Sequence, residues 1–418
     1  MDNVTHSLAG LVLAESAVRL RAHRAGAEPS PRFRLIAALS SMIAANLPDA
    51  DLLYTGIGGD RLTYMLHHRG YTHTVVMAIL GAALMWVAAT LVWRWRAHLA
   101  PTREDAAWLA GLLLVSTLSH LALDWTNSYG VHLFWPIDDR WRYGDSVFIV
   151  EPWFWVVAVP PLVASSRSRI ARVLLSVILI LGLTLAWRVD FVSTGAVTAL
   201  TIGSMVSILL ARVLRPSGRA AAAVAGWIAV TLIMATGSAV ARRTALRSMG
   251  SADPTAEVLD VVVTPLPSNA VCMTVITVER SETSYRVVTA RVSAAPWITV
   301  ASRCGTRGSA GPMFRVSSRA STPAIQWDAE WAAPQGELAT LARESCPALA
   351  ALRFIRVPAW RSLTDATVML GDVRFGGGSG RGFSDVTVPR RAAACERSVP
   401  PWIPPRADIL ASRRDSLF

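Results

Sequence analysis

Six of the eight histidines in this 418-residue chain fall in three clusters near its N-terminus. MDNVTHSLAG places Asp2, Thr5 and His6 ahead of an apolar stretch. NLPDADLL carries Asp49 and Asp51 and is followed by HHRGYTHT, with His67, His68, Arg69, Thr72 and His73. HLALDWTNSYGVHLFWP supplies His120, Asp124, Asn127, Ser128, His132 and Trp135, and Asp145 and Glu151 come soon after. Imidazoles and carboxylates without thiolates suit zinc, manganese or iron. His120 and Asp124 are four apart, so on a helix they share one face. There they can share a divalent cation, or simply hydrogen-bond to each other. No segment offers more than one or two ligands, so a metal site requires several to converge. The expected ligands are His6, Asp49, Asp51, His67, His73, His120 and Asp124.

Some of these residues have alternative roles. Pro48-Asp49 could cap a turn, but a D-x-D beside a His-rich loop favours ligation. Adjacent His67 and His68 point differently on any regular element, so one ligates and the other positions a ligand or donates a proton. His68 is assigned with Asp124 and Arg69 to the catalytic set. Arg69 could clamp a phosphoryl oxygen, or equally meet solvent or a lipid headgroup. Glu151 is either a ligand or the start of an apolar run. Zinc held by imidazole and carboxylate with an open position for water is a hydrolytic arrangement, and two or three ions could grip both oxygens of a phosphoester.

The elements that must position these residues are apolar. The chain is 52% hydrophobic and 17% charged, against about 25% charged in ordinary soluble proteins. A bilayer-crossing helix needs about 20 mostly apolar residues. Candidates run near 74–93, 106–124, 147–165, 170–187, 191–211 and 220–240, with a weaker one near 35–53. Residues 7–20 are apolar but short and carry Glu15. The expected fold is a mainly α, polytopic bundle of about seven to eight apolar helices with a C-terminal β-rich soluble domain. All basic residues are arginines, and they cluster at 19–34, 94–103, 167–172 and 212–219. The positive-inside tendency makes that side cytoplasmic. All three His/Asp clusters then share the opposite, extracytoplasmic face with the C-terminal domain. Arg242, Arg243 and Arg247 oppose this locally. His23 and His98 fall on the arginine side and carry no expected chemistry. Trp135, Trp141, Trp153 and Trp155 read as an interfacial belt.

Beyond residue 250 the hydrophobic period changes to two. VCMTVITVE (271–279) with SYRVVTARV (284–292) reads as a β-hairpin, as does TVMLGDVRF (367–375) with FSDVTVP (383–389). The expected division is a membrane-embedded hydrolase-like core at 1–155, further transmembrane helices at 156–245, and an extracytoplasmic β-rich domain at 246–418. Cys272, Cys304, Cys346 and Cys395 all lie in that domain and allow three pairings, or stay as buried thiols. No cleavable signal peptide is expected, since Asp2 stands where a basic region would. The net charge of +12 is explained by loop arginines, so nucleic-acid binding is not expected; membrane lipids are the expected partners.

The combined pattern resembles the YdjM-type inner-membrane proteins, a family described as membrane-bound metal-dependent hydrolases. Thr5-His6, the P-D-x-D at Asp49/Asp51, His68-Arg69-Gly70 with Thr72-His73, and His120/Asp124 with Asn127, Gly130 and Trp135-Pro136 carry it, over about residues 1 to 155. The family is distantly similar to zinc-dependent phospholipase C and the P1-type nucleases, which hold several zincs with His and Asp, including an H-x-x-x-D pair. That resemblance implies hydrolysis of a phosphoester or lipid-linked substrate by a metal-activated water. A second H-x-x-x-E pair is missing here; His132, Asp145 and Glu151 do not reproduce it. Two readings from other classes stand beside it: a metal-handling or transport protein using the same ligands without catalysis, and a structural membrane protein whose histidines sense pH.

Overall fold

The structure, a computed structural model, describes residues 1–56, 60–250, 256–305, 313–380, 382–395 and 398–410. The N-terminal part is helical: α1 (Asn3–Ala25), α2 (Pro31–Ala44), the short α3 (Leu52–Gly56) and α4 (Arg61–His67), then α5 (Val75–Ala97), α6 (Arg103–Trp125), α7 (Pro152–Ser165), α8 (Arg169–Arg188), α9 (Thr194–Val213) and α10 (Pro216–Gly250). Five of them, α5, α6, α8, α9 and α10, are long and apolar enough to cross a membrane.

Three further helices of the bundle, α1, α2 and α7, are not among those five. α1 packs against α2, α6, α7 and α10 and carries the Glu15–Arg19 ion pair on its surface. The weak 35–53 candidate ends at Ala44, because Pro48 turns the chain into a 3₁₀ segment, Leu47–Asp51. The 147–165 candidate begins only at Pro152, capped by Glu151, and is 14 residues long. α1, α2 and α6 approach closely below the polar clusters. A Cβ on Gly10 would stand 2.7 Å from the Ser41 carbonyl oxygen. The Ser41 hydroxyl donates to the Gly10 carbonyl at 2.7 Å and meets the Ser116 hydroxyl at 2.7 Å.

α10 does not stop at 245, where the transmembrane part is expected to end. It is one helix of 35 residues, about 52 Å at 1.5 Å per residue, against a hydrocarbon core of about 30 Å. Its end therefore leaves the bundle, and Ala241, Ala245 and Met249 pack on Val261, Met273 and Val288. Arg242, Arg243 and Arg247 ride on this extension, so they do not argue about loop sidedness; Arg242 pairs with Asp145 at 3.1 Å.

The C-terminal part holds an antiparallel sheet ordered β1-β2-β3-β5-β4, with β1 (Glu257–Leu266), β2 (Asn269–Arg280), β3 (Ser284–Ser293), β4 (Arg315–Val316) and β5 (Ile325–Pro334). α11 (Gln335–Glu344) and α12 (Cys346–Leu352) precede a three-stranded sheet of β6 (Pro358–Ser362), β7 (Thr367–Asp372) and β8 (Val386–Pro389), and α13 (Ala407–Leu410) follows. Both expected hairpins form, with Cys272 opposite Ser293 and Thr367 opposite Pro389. The second is shorter than its pattern, because Gly376, Gly378 and Gly380 take left-handed φ and close a tight loop. Cys272 is bonded to Cys304 and Cys346 to Cys395.

Candidate metal centre

Helix ends from four segments meet at one end of the bundle. Asp2 caps α1, accepting from Thr5 N at 2.9 Å, which sets His6 in its first turn. The 3₁₀ turn after α2 brings Asp49 and Asp51 inward, both buried. Thr74 caps α5, leaving His73 just outside it. His120 and Asp124 close the last turns of α6, both with no exposed surface.

Asp49, His73, His120 and Asp124 form one buried group. His73 Nε2 lies 3.3 Å from Asp49 Oδ1 and 3.1 Å from Asp124 Oδ2. His120 Nε2 lies 3.5 Å and 3.4 Å from the same two oxygens, and 3.1 Å from His73 Nε2. Tetrahedral zinc with bonds of about 2.0–2.1 Å requires ligand–ligand edges of about 3.3–3.4 Å. These five distances bracket that value. The supporting hydrogen bonds also turn Nε2 inward. His120 Nδ1 donates to the Ala45 carbonyl at 2.7 Å. His73 Nδ1 sits 3.0 Å from the Thr72 hydroxyl, which in turn donates to Asp51 Oδ2 at 2.9 Å. Each imidazole thus presents a lone pair to the centre, and two facing lone pairs call for a cation between them.

Asp51 is filled from other directions. It accepts from Arg69 N at 2.9 Å and pairs with His68 Nδ1 at 3.0 Å. Burial alone would raise both carboxyls, but hydrogen bonds and charge from His120 and His73 hold Asp49, and from His68 and His73 hold Asp51, well below the usual carboxylate range. Asp49, Asp51 and His68 form a second group of possible ligands sharing Asp49. His6 stacks on His120 with ring centroids 3.7 Å apart, and its Nε2 lies 3.4 Å from Asp124 Oδ1. Neither of its buried ring nitrogens has a hydrogen-bond partner among the described residues.

Two expected site residues are placed differently. The structure does not bring His67 to the cluster: it ends α4 on the outer side, edge-on to Tyr54, while His68 turns inward. Arg69, nearly fully buried, is not free: it bonds Asp124 Oδ1 at 2.9 Å and Asn127 Oδ1 at 3.0 Å and stacks over Tyr129. The backbone nitrogen of Met1 also meets Asp124 Oδ1. Glu151 stands at the start of an apolar run, capping α7; it accepts from Ser268 N at 2.9 Å and Trp153 N at 3.2 Å.

The tryptophans are not a lipid-facing belt either. Trp141 Nε1 donates to the Arg353 carbonyl at 2.7 Å, and Trp155 Nε1 to the Thr5 hydroxyl at 2.9 Å. Sequence reasoning also missed the cover over the site. His132, its Nδ1 3.4 Å from the Arg69 carbonyl oxygen, lies between Trp141 and Trp402 at 3.9 and 3.8 Å. Burial pushes the His132 imidazole down to about 3. Trp402 Nε1 donates to the Leu66 carbonyl at 2.8 Å, and a Cβ on Gly70 would lie 3.1 Å from its ring. Only the glycine in H-R-G hints at such a close approach.

Bundle and cluster together define a multi-spanning membrane protein with a buried His/Asp site that could hold a metal ion. Residues 1–191 match the family model described as YdjM inner membrane protein, so this part of the chain is similar to that family. The match covers every residue of the cluster. No curated protein and no solved structure matches the chain.

Proposed function

We propose that the protein is a membrane-bound, metal-dependent hydrolase acting on a phosphoester or lipid-linked substrate, with its site and C-terminal domain on the extracytoplasmic face. The observation that carries this reading is the tetrahedral spacing of Asp49, His73, His120 and Asp124, with both imidazoles oriented from behind. Zinc suits that donor set, and when bound it would polarise a substrate oxygen and make water a better nucleophile near neutral pH. His6 and Asp51 stand beside the four, for a second ion or to orient the first. Arg69 lends its guanidinium to Asp124 and so places positive charge at the edge where a phosphoryl oxygen would enter. His68, anchored through Nδ1 on Asp51, would take up at Nε2 the proton released by the attacking water and pass it to the leaving oxygen.

The test is purification in detergent, metal analysis, and assay against phosphomonoesters, phosphodiesters and phospholipids, with wild type and His120→Ala. Wild type should carry metal and turn over at least one class; His120→Ala should do neither. Absence of metal from both would sink the site. Metal without turnover would favour the metal-handling reading.

A further inference from the structure

Away from the His/Asp cluster, α7, α9 and α10 enclose an apolar cavity of about 620 Å³ beneath the β1–β2 turn and the loop after β3. That is within the range of about 300–1,000 Å³ in which small ligands are held. Its wall includes Trp153, Val157, Ala199, Ala229, Ile233 and Met234. A second apolar cavity of about 180 Å³ shares Trp153, Val157 and Gly226 with it and continues between the helices toward Leu214. Together they make a slot running along the bundle.

The slot is polar beneath the β domain, where Ser268 and Arg303 line it, and its far end near Leu214 carries Arg219. The Ser268 hydroxyl is buried yet has no hydrogen-bond partner among the described residues, although the Ser268 backbone is pinned at both groups, N to Glu151 and O to Trp153 Nε1. A buried hydroxyl left unpaired costs free energy, so this one points to a missing partner. Arg303 is exposed at the mouth.

The end beneath the β domain lies at the membrane boundary. Met234 is 18 residues beyond Pro216 on α10, about 27 Å along the axis at 1.5 Å per residue, close to one hydrocarbon thickness of about 30 Å. The loop that carries Arg303 rests on the turn between α8 and α9: a Cβ on Gly305 would lie 3.2 Å from the Phe191 carbonyl oxygen. The same loop holds out Trp297, 84% exposed, and Ile298, 67% exposed. Large apolar side chains so exposed on a soluble domain mark contact with an apolar phase, and Trp is enriched at headgroup depth.

We infer that this slot is a phospholipid site: it takes one acyl chain between α7, α9 and α10, and an anionic headgroup on Arg303 and the Ser268 hydroxyl, while Trp297 and Ile298 dip into the interface beside it. The inference is independent of the metal reading.

The full chain, reconstituted in nanodiscs of phosphatidylcholine with phosphatidylglycerol and then released into detergent, tests it by native mass spectrometry. Wild type should retain one phospholipid, with phosphatidylglycerol enriched over the nanodisc composition. Ala199 and Ala229 are exposed in the slot, so Ala199→Phe with Ala229→Phe fills it without disturbing the core and should abolish retention. Arg303→Glu should keep a lipid but lose the anionic preference. Equal lipid in wild type and the double Phe variant would overturn the site. So would a stable lipid-free dimer, which would give the slot to a second copy. An unchanged preference in Arg303→Glu would overturn the headgroup assignment, and that surface variant reports even if the double variant fails to fold.

Discussion

Asp51 shares its carboxylate among His68, the Arg69 amide and Thr72, and it orients His73 both through Thr72 and directly, with His73 Nδ1 3.4 Å from its Oδ2. Groups that orient metal ligands matter nearly as much as the ligands, typically 10–100-fold in affinity. Thr72→Val should therefore weaken metal affinity by about 10–100-fold, read by titration against a competing chelator, while Asp49→Asn should abolish stoichiometric metal. His67→Ala should leave metal content at the wild-type value, since its ring faces away; loss of metal from that variant would refute the geometry. The His/Asp clusters were legible because their spacing is chemical. The choice between His67 and His68 was not. It depends on α4 ending at His67, with His68 already extended at ψ 129°, and adjacent residues in sequence do not reveal which of them follows the break.

At the scale of elements, α7 shows how one buried group couples the bundle to the β domain. Glu151 caps α7 and also accepts from Ser268 in the β1–β2 turn. Burial pushes its carboxyl up to about 7, only partly offset by the two backbone donors. A raised folded-state pKa means that the folded protein holds this proton more tightly than the unfolded chain. The stabilisation is complete below the ordinary carboxyl pKa of about 4.3 and is lost as pH rises through about 7. The difference corresponds to about 4 kcal/mol over that window. Thermal unfolding followed by tryptophan fluorescence should show the wild-type midpoint falling between pH 5 and pH 8, and Glu151→Gln should flatten the fall. Parallel curves for the two proteins would remove Glu151 as the cause. The helices α5, α6, α8 and α9 were readable because apolar length alone specifies a span. α1, α2 and α7 were harder to place, since an element buried among others can be shorter or carry an ion pair like Glu15–Arg19. The extension of α10 was hidden because a helix that leaves the bilayer to support a sheet becomes polar on one side only.

For the whole molecule, the β-rich part covers the end of the bundle where the His/Asp cluster lies. Arg356 bonds Asp145 at 2.9 Å and Asp260 at 2.8 Å. Arg374 bonds Asp372 at 2.7 Å and donates to the Ser128 carbonyl. Phe354, Trp360 and Trp402 join Met65, Tyr129 and Trp141 in one apolar core. The hairpins of this domain were visible in period-two patterns, but its docking was not, because it is made by pairs as distant as Leu66 and Trp402, 336 residues apart. Trp402 is a fully buried side chain of that seam, stacked on His132 and pressed on Gly70, directly behind Arg69 and His68. Truncating a buried tryptophan costs about 3–5 kcal/mol. Here the loss falls on the seam rather than on the transmembrane helices, which share none of its contacts. Trp402→Ala should therefore release bound metal to a chelator at least tenfold faster, the equivalent of about 1.4 kcal/mol at the barrier, with helical circular dichroism unchanged. Gly70→Ala, whose Cβ would press on the same ring and on the His67 carbonyl oxygen at 3.0 Å, should move the release rate in the same direction. If both variants release metal at the wild-type rate while still binding it, the ion leaves by another path. The Tyr64 side of the cluster, where Phe383 of the glycine-rich loop closes edge-on at 5.6 Å, would then be the door to test.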